Sequence, residues 1–411
     1  MRPLVPQIVK VTGSFRRAGP RAGARTGPRS GRPLLVAVLA LLAAACGLVA
    51  CGSEGSGSPA GGAAGAPAGD RAGDPTGGRA GGTAGAPPED ARTITTGLRA
   101  PWGLAFLPDG RAVVGERDTG RILLVPAGGG EPTEVTRLPD VHHAGESGLL
   151  GLAVSPEYES DGLIYAYYTT AADNRVVRFR LDGADPAGPE VEEVLTGLAS
   201  ARIHDGGRIA FGPDGNLYIG VGDAADPDLA QDPRSPNGKI LRIRPDGRIP
   251  DDNPFPGSPV YSLGHRNVQG LAWDSAGRLW ASEFGQNTFD ELNLIRPGAN
   301  YGWPEVEGSG DTRGGRFTNP VLTWTTDEAS PSGIAIRDDI LYMAALRGER
   351  LWVMNLDGET VSGQPRALFT GELGRLRTIE LAPDGSLWVT TSNTDGRGDP
   401  RDGDDRIVLL R

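Results

Sequence analysis

Residues able to carry chemistry occur in this chain as isolated polar positions beside short apolar segments. One histidine, His204, precedes a Gly-Gly-Arg strand start and is followed by Asp205. Arginine recurs in comparable places, at Arg266 (followed by Asn267), Arg347, Arg375 and Arg377. Glu146 precedes one apolar segment, and Asp223 and the pair Gly285-Gln286 follow others. Imidazole ordinarily titrates near neutrality, so a lone histidine is a natural general base. Guanidinium groups gathered together call for carboxylate or phosphate, which they can hold bidentately. The chemistry suggested is proton abstraction beside a small polyanionic ligand.

These positions matter only if something brings them together, and an internal repeat does so. Residues 91–411 repeat a short apolar strand, a turn, a second apolar strand, a longer loop, and a third strand often opening on Arg or Lys. The units begin at WGLAF (102–106), GLLGLAV (148–154), GRIAF (207–211), GLAW (270–273), SGIAI (332–336) and TIEL (378–381). Pro-Asp-Gly at 108–110, 213–215 and 383–385 marks tight turns in which Gly supplies the positive φ. Six units in 321 residues come to about 53 residues each, the scale of a four-stranded blade. No stretch sustains a 3.6-residue period. The fold expected is an all-β, six-bladed β-propeller. The fourth strands are weakly marked, as in EEVLTGL (192–198), and RIVLL (406–410) is expected to share a blade with a strand near 93–96. In such a ring the loops entering first strands and leaving second strands open on one face, so the residues above converge at the channel mouth.

The remainder of the chain belongs to export. Residues 1–32 hold eight Lys and Arg and no acid, and the apolar run 34–50 follows. A basic segment before an apolar run of this length reads as a signal peptide. Leu48-Val49-Ala50-Cys51 resembles a bacterial lipobox, whose Cys51 would carry a lipid anchor on the outer face of the cell membrane. A plain cleaved signal with secretion is the alternative. Residues 52–90 contain 13 Gly, 9 Ala and 5 Pro, a composition that buries too little apolar surface to order itself and suits a flexible tether. Removing 1–50 takes the formal charge from −11 to −19. So acidic a body does not suit nucleic acid, and clustered arginines stand out against it.

On these residues the chain resembles the soluble pyrroloquinoline-quinone (PQQ)-dependent glucose and aldose sugar dehydrogenases. The resemblance covers nearly all of 91–411 and rests on YSLGHRNVQGLAW (261–273), SEFGQNTFDELNLI (282–295), ANYGWPEV (299–306) and HDGGRIAFGPDGNLYIGVGD (204–223). It implies that His204 takes the sugar C1 hydroxyl proton and that Arg266 and Asn267 contact the quinone. It further implies that Ca²⁺ rests on the carbonyls of Gly285 and Gln286, and that Arg347, Arg375 and Arg377 grip the cofactor. Asp223 and Glu146 would lie near the sugar. Hydride would pass from C1 to the quinone, giving a lactone, and an external acceptor (quinone, cytochrome or dye) would reoxidise the cofactor. Ile203 and Glu146 depart from the family pattern, and Trp324 lies only near the place of an expected aromatic cover. The acid-rich stretch 393–405 reads as a solvated loop in preference to a second Ca²⁺ site, and His142-His143 as loop residues without a metal. Two other readings stay open: a metal-dependent lactonase-type propeller and a non-catalytic binding propeller of the envelope.

Overall fold

The computed structural model describes residues 88, 90–181 and 188–411. The signal peptide and nearly all of the tether expected at 1–90 lie outside the described residues. Among the described residues no helix is long and apolar enough to cross a membrane.

Six four-stranded antiparallel sheets are arranged as a β-propeller. Their innermost strands are Pro101–Phe106, Leu149–Val154, Ile209–Phe211, Val268–Trp273, Pro331–Arg337 and Leu376–Leu381. Five outermost strands are Thr133–Arg137, Glu192–Leu198, Val260–Leu263, Leu322–Thr325 and Thr360–Leu368. The sixth is Ala91–Thr95, which comes from the other end of the sequence and closes the ring. It pairs with Ile407–Leu410 in the register Ala91↔Leu410 and Thr93↔Val408.

The core lies between blades. Tyr165, Tyr167 and Val176 of the second blade pack with Ile209, Leu217 and Ile219 of the third. Comparable clusters fill other blade interfaces. Second strands are therefore covered on both faces, and Ala112–Glu116, Leu217–Val221 and Leu279–Glu283 are buried at every residue. This is why they read as apolar runs with small residues in place of strict alternation. Near the axis the innermost strands approach backbone to backbone. A Cβ at Gly151 would lie 2.2 Å from the Gly207 carbonyl oxygen, so this crossing requires glycine. Among the described residues only two short helices interrupt the strands, Tyr158–Asp161 and Asp228–Gln231.

Candidate active site

A cleft of about 380 Å³ opens at one end of the channel, lined by Glu146, His204, Arg266, Gly285, Gln286, Arg347, Arg375 and others. Seven of the ten residues singled out in the sequence thus share one cavity. Asn267 and Asp223 are fully buried behind it. Arg377 lines a narrower recess with Trp102, Asp205, Gln269 and Asp395.

His204 is held at both ring nitrogens. Nδ1 lies 2.7 Å from Asp223 Oδ1, and Arg266 Nη2 lies 2.7 Å from Nε2. A carboxylate accepts and a guanidinium only donates, so the ring is the neutral tautomer with its proton on Nδ1 and a lone pair on Nε2. The His204 backbone is left-handed, with φ 63°. Its N–H donates to Glu146 Oε2 at 2.9 Å, and Arg397 Nη1 donates to the other Glu146 oxygen at 2.9 Å. Burial alone would raise the Glu146 pKa; the His204 N–H and the Arg397 charge overcome that and hold it below the usual carboxylate value. A close crossing makes the arrangement possible, because a Cβ at Gly222 would strike the His204 carbonyl oxygen at 1.8 Å.

Asp223, expected to lie near the sugar, is fully buried. Its Oδ1 serves His204 and the Ala225 N–H, and its Oδ2 accepts from Trp303 Nε1 at 2.8 Å. It is the orienting partner of His204.

Arg266 and Asn267 follow His265 in a loop tied down by Glu283. One Glu283 oxygen takes the Arg266 N–H, and the other lies 2.8 Å from His265 Nδ1. The Arg266 guanidinium donates to the Phe284 carbonyl at 3.3 Å and lies over the Trp303 ring, 5.5 Å from its centroid. Burial pulls the Arg266 pKa below its ordinary value.

Gly285 and Gln286 begin a loop whose amides turn inward. Glu307 Oε1 accepts the N–H groups of Gln286, Asn287, Thr288 and Phe289 at 2.7–3.2 Å. In a trans peptide the C=O points opposite to the following N–H. The Gly285 and Gln286 carbonyls therefore face away from Glu307, and neither accepts a hydrogen bond among the described residues. Asp290 fixes the start of the loop by accepting the Gly285 N–H at 2.9 Å. Burial raises its pKa to about 6.

The arginines differ in how far the protein itself satisfies them. Arg347 is exposed and pairs with Asp327 at 2.7 Å. Arg375 is buried against Asp395, at 3.1 Å from Nε and 3.0 Å from Nη2. Arg377 stands 3.9 Å from the same oxygen and donates to Gln269 Oε1 at 3.1 Å. Burial lowers its pKa to about 9. Three buried donors here have no protein partner among the described residues: Arg266 Nε, Arg377 Nε and Asn267 Nδ2. Unpaired buried donors suit an acceptor-rich, anionic group.

Trp324, read only as near the place of the aromatic cover, is buried in the blade interface against Trp352. One expectation gives way. The acids of 393–405 are not simply solvated. Asp395 clamps the arginines, Asp405 takes the Asn393 N–H and Thr391 hydroxyl, and Asp404 pairs with Arg406. His143 Nδ1 lies 2.8 Å from the Ser147 carbonyl oxygen, away from the cleft lining. Trp303, Glu307 and Asp395 carry roles that no spacing announced. Trp303 stands in the stretch 299–306, and its link to Asp223 crosses 80 positions.

The Glucose / Sorbosone dehydrogenase family model matches residues 98–409. The chain belongs to that family. It is 31% identical to the aldose sugar dehydrogenase YliI of Escherichia coli over 73% of this chain and 89% of that protein. It is 34% identical to quinoprotein glucose dehydrogenase B of Acinetobacter calcoaceticus over 56% of this chain and 55% of that one. Among solved structures, the PQQ-bound form of the aldose sugar dehydrogenase of Streptomyces coelicolor superposes with a TM-score of 0.75 at 54% identity, covering 79% of this chain and 99% of that one.

Proposed function

We propose that this member of the family is a PQQ-dependent dehydrogenase that oxidises the C1 hydroxyl of aldoses to the lactone, with His204 as the base. The observation that carries the reading is the His204 imidazole, held between Asp223 and Arg266 and set beside buried donors that have no protein partner among the described residues. Arg266, Asn267, Arg375 and Arg377 would hold PQQ, with Arg347 at the rim. When bound, PQQ supplies the acceptor for the hydride of sugar C1.

The chain's own residues do the rest. His204 Nε2 takes the hydroxyl proton, and Asp223 stabilises the imidazolium that results. A sugar hydroxyl reaches Nε2 by displacing the Arg266 Nη2 bond, which frees that N–H for an acceptor. Glu146 fixes the His204 backbone and keeps one oxygen toward Arg397 at the sugar side. The outward carbonyls of Gly285 and Gln286 suit Ca²⁺, a hard cation that favours oxygen; Ca²⁺ there would add Lewis acidity. Among the described residues no group of three or more His, Cys, Asp or Glu is placed to hold an ion.

The test is reconstitution. Apo-protein mixed with PQQ and Ca²⁺ should reduce a dye with one or more members of an aldose panel. Quinone binding without turnover on any sugar would overturn the dehydrogenase reading and favour a binding propeller. The same proposal places the protein outside the cell, anchored through lipid on Cys51. Labelling with a radioactive fatty acid should be lost in Cys51→Ser; retained label would refute the anchor.

A further inference from the structure

Trp303 makes two contacts that meet at the same histidine. Its Nε1 donates to Asp223 Oδ2 at 2.8 Å, and Asp223 Oδ1 holds His204 Nδ1 at 2.7 Å. Its ring carries the Arg266 guanidinium 5.5 Å from the centroid, and Arg266 Nη2 holds His204 Nε2 at 2.7 Å. His204, Asp223, Trp303 and Arg266 thus close a circuit in which Trp303 is the member farthest from the base. It is 7% exposed and Asp223 is fully buried.

The indole is itself anchored. Gln231 Nε2 donates to the Trp303 carbonyl at 2.6 Å, and the Trp303 N–H donates to the Gly264 carbonyl at 3.0 Å. Gln231 also exchanges amide hydrogen bonds with Asn300 at 2.8 and 3.1 Å. It belongs to the short helix Asp228–Gln231 in the segment between Asp223 and the strand Lys239–Ile243. The segment beginning at Asp223 therefore returns, through Gln231 and Trp303, to the Asp223 carboxylate.

We propose that Trp303 is a positioning residue that sets the orientation and basicity of His204 from both sides, through Asp223 and through Arg266. The indole N–H draws part of the Asp223 charge to itself, so His204 experiences a weakened counter-ion. The ring, by holding the guanidinium on its face, keeps a donor directed at Nε2. Both effects favour neutral imidazole with a lone pair on Nε2, the form that can accept a proton. The charged groups facing His204 from the surrounding loops are Asp223, Arg266, Glu146, the neighbouring Asp205, and Arg397 through Glu146. Trp303 touches the first two. The catalytic part of this inference rests on the dehydrogenase reading; the effect on the imidazole does not.

The experiment uses both forms of the protein. In the full chain without cofactor, the four histidines give few enough ring signals for ¹⁵N-detected NMR titration, with a His204→Gln variant assigning the signal of interest. Trp303→Phe keeps a ring under Arg266 and removes the N–H. The His204 midpoint should move up by about one pH unit, and the proton distribution between its nitrogens should broaden. In holoenzyme reconstituted with PQQ and Ca²⁺, the acid limb of the kcat/KM profile should move up with it, and kcat should fall about tenfold while KM stays within about twofold. If Trp303→Phe fails to fold by circular dichroism, Gln231→Leu, which releases the Trp303 carbonyl, should give the same direction with a smaller shift. An unchanged His204 midpoint in a folded variant overturns the proposal. An NMR shift in a protein whose wild type oxidises no aldose leaves the positioning role standing and removes the dehydrogenase reading.

Discussion

Replacing Arg377 by Met separates the two roles open to a buried arginine, structural clamp and ligand holder. Arg377 is 6% exposed, and burial draws its pKa well below the usual guanidinium value, to about 9. A depression of that size means that keeping the charged form inside costs several kcal/mol. Its nearest carboxylate, Asp395, does not depend on it. Asp395 accepts from Arg375 at 3.0 and 3.1 Å, from the Ser392 hydroxyl at 3.1 Å and from the Arg397 N–H at 2.9 Å, while Arg377 stands off at 3.9 Å. The Met variant therefore strands no buried charge and loses chiefly the bond to Gln269, worth about 1 kcal/mol. Apo-protein stability in urea should change by less than about 2 kcal/mol, because removing an underpaired buried charge offsets that loss. Quinone binding should suffer more. A hydrogen bond between charged groups is worth about 1.5–3 kcal/mol, so PQQ affinity measured by fluorescence titration should fall roughly 10- to 150-fold. A variant that lost more than about 3 kcal/mol of apo stability while binding PQQ as before would refute the reasoning and make Arg377 a clamp.

Three further outcomes follow from the same geometry. His204→Gln should lower kcat by about 10²- to 10⁴-fold with the thermal midpoint nearly unchanged, and full activity would remove the base assignment. Glu307→Gln weakens the carboxylate that gathers four amides of the 286–289 loop; calorimetric Ca²⁺ affinity should fall about 10- to 100-fold, and an unaltered isotherm would show that the loop holds its shape without that charge. Asp205, raised by burial from 3.8 to about 6, holds its proton more tightly folded than unfolded. Its burial thus costs stability progressively as pH rises through that window, and fully above it. Asp205→Asn should stabilise the apo-protein by up to about 3 kcal/mol at pH 8 and hardly at pH 4, as read by urea denaturation; equal effects at both pH values would contradict the assignment.

The repeat was legible because blade strands are short and Pro-Asp-Gly turns recur at fixed offsets. Register and closure are consequences of that period, including the pairing of Ala91–Thr95 with Ile407–Leu410. Individual site positions were legible wherever a polar residue interrupts an apolar segment at a strand entry or exit, as His204, Arg266 and Arg375 do. The role of Asp223 was not. Its place at the end of a strand suggested a residue facing the cleft, yet the strand's last turn carries it behind His204. Asp395 shows the same effect in an acid-rich loop. Its carboxylate looks solvated in one dimension and is buried against Arg375 in three.

Residue types and period alone determined that the chain forms a ring of blades, that polar residues from five units reach one mouth, and that cations gather there in an otherwise acidic body. All three follow from local rules, since turns and strand patterning act over a few residues. Only the tertiary structure decided which partners those residues keep. His204 receives its tautomer from Asp223 and Arg266, the amides of 286–289 turn toward Glu307, and Trp303 links Asp223 to Arg266. These are contacts across 18 to 80 positions. Their geometry depends on how adjacent blades pack, which no local pattern encodes.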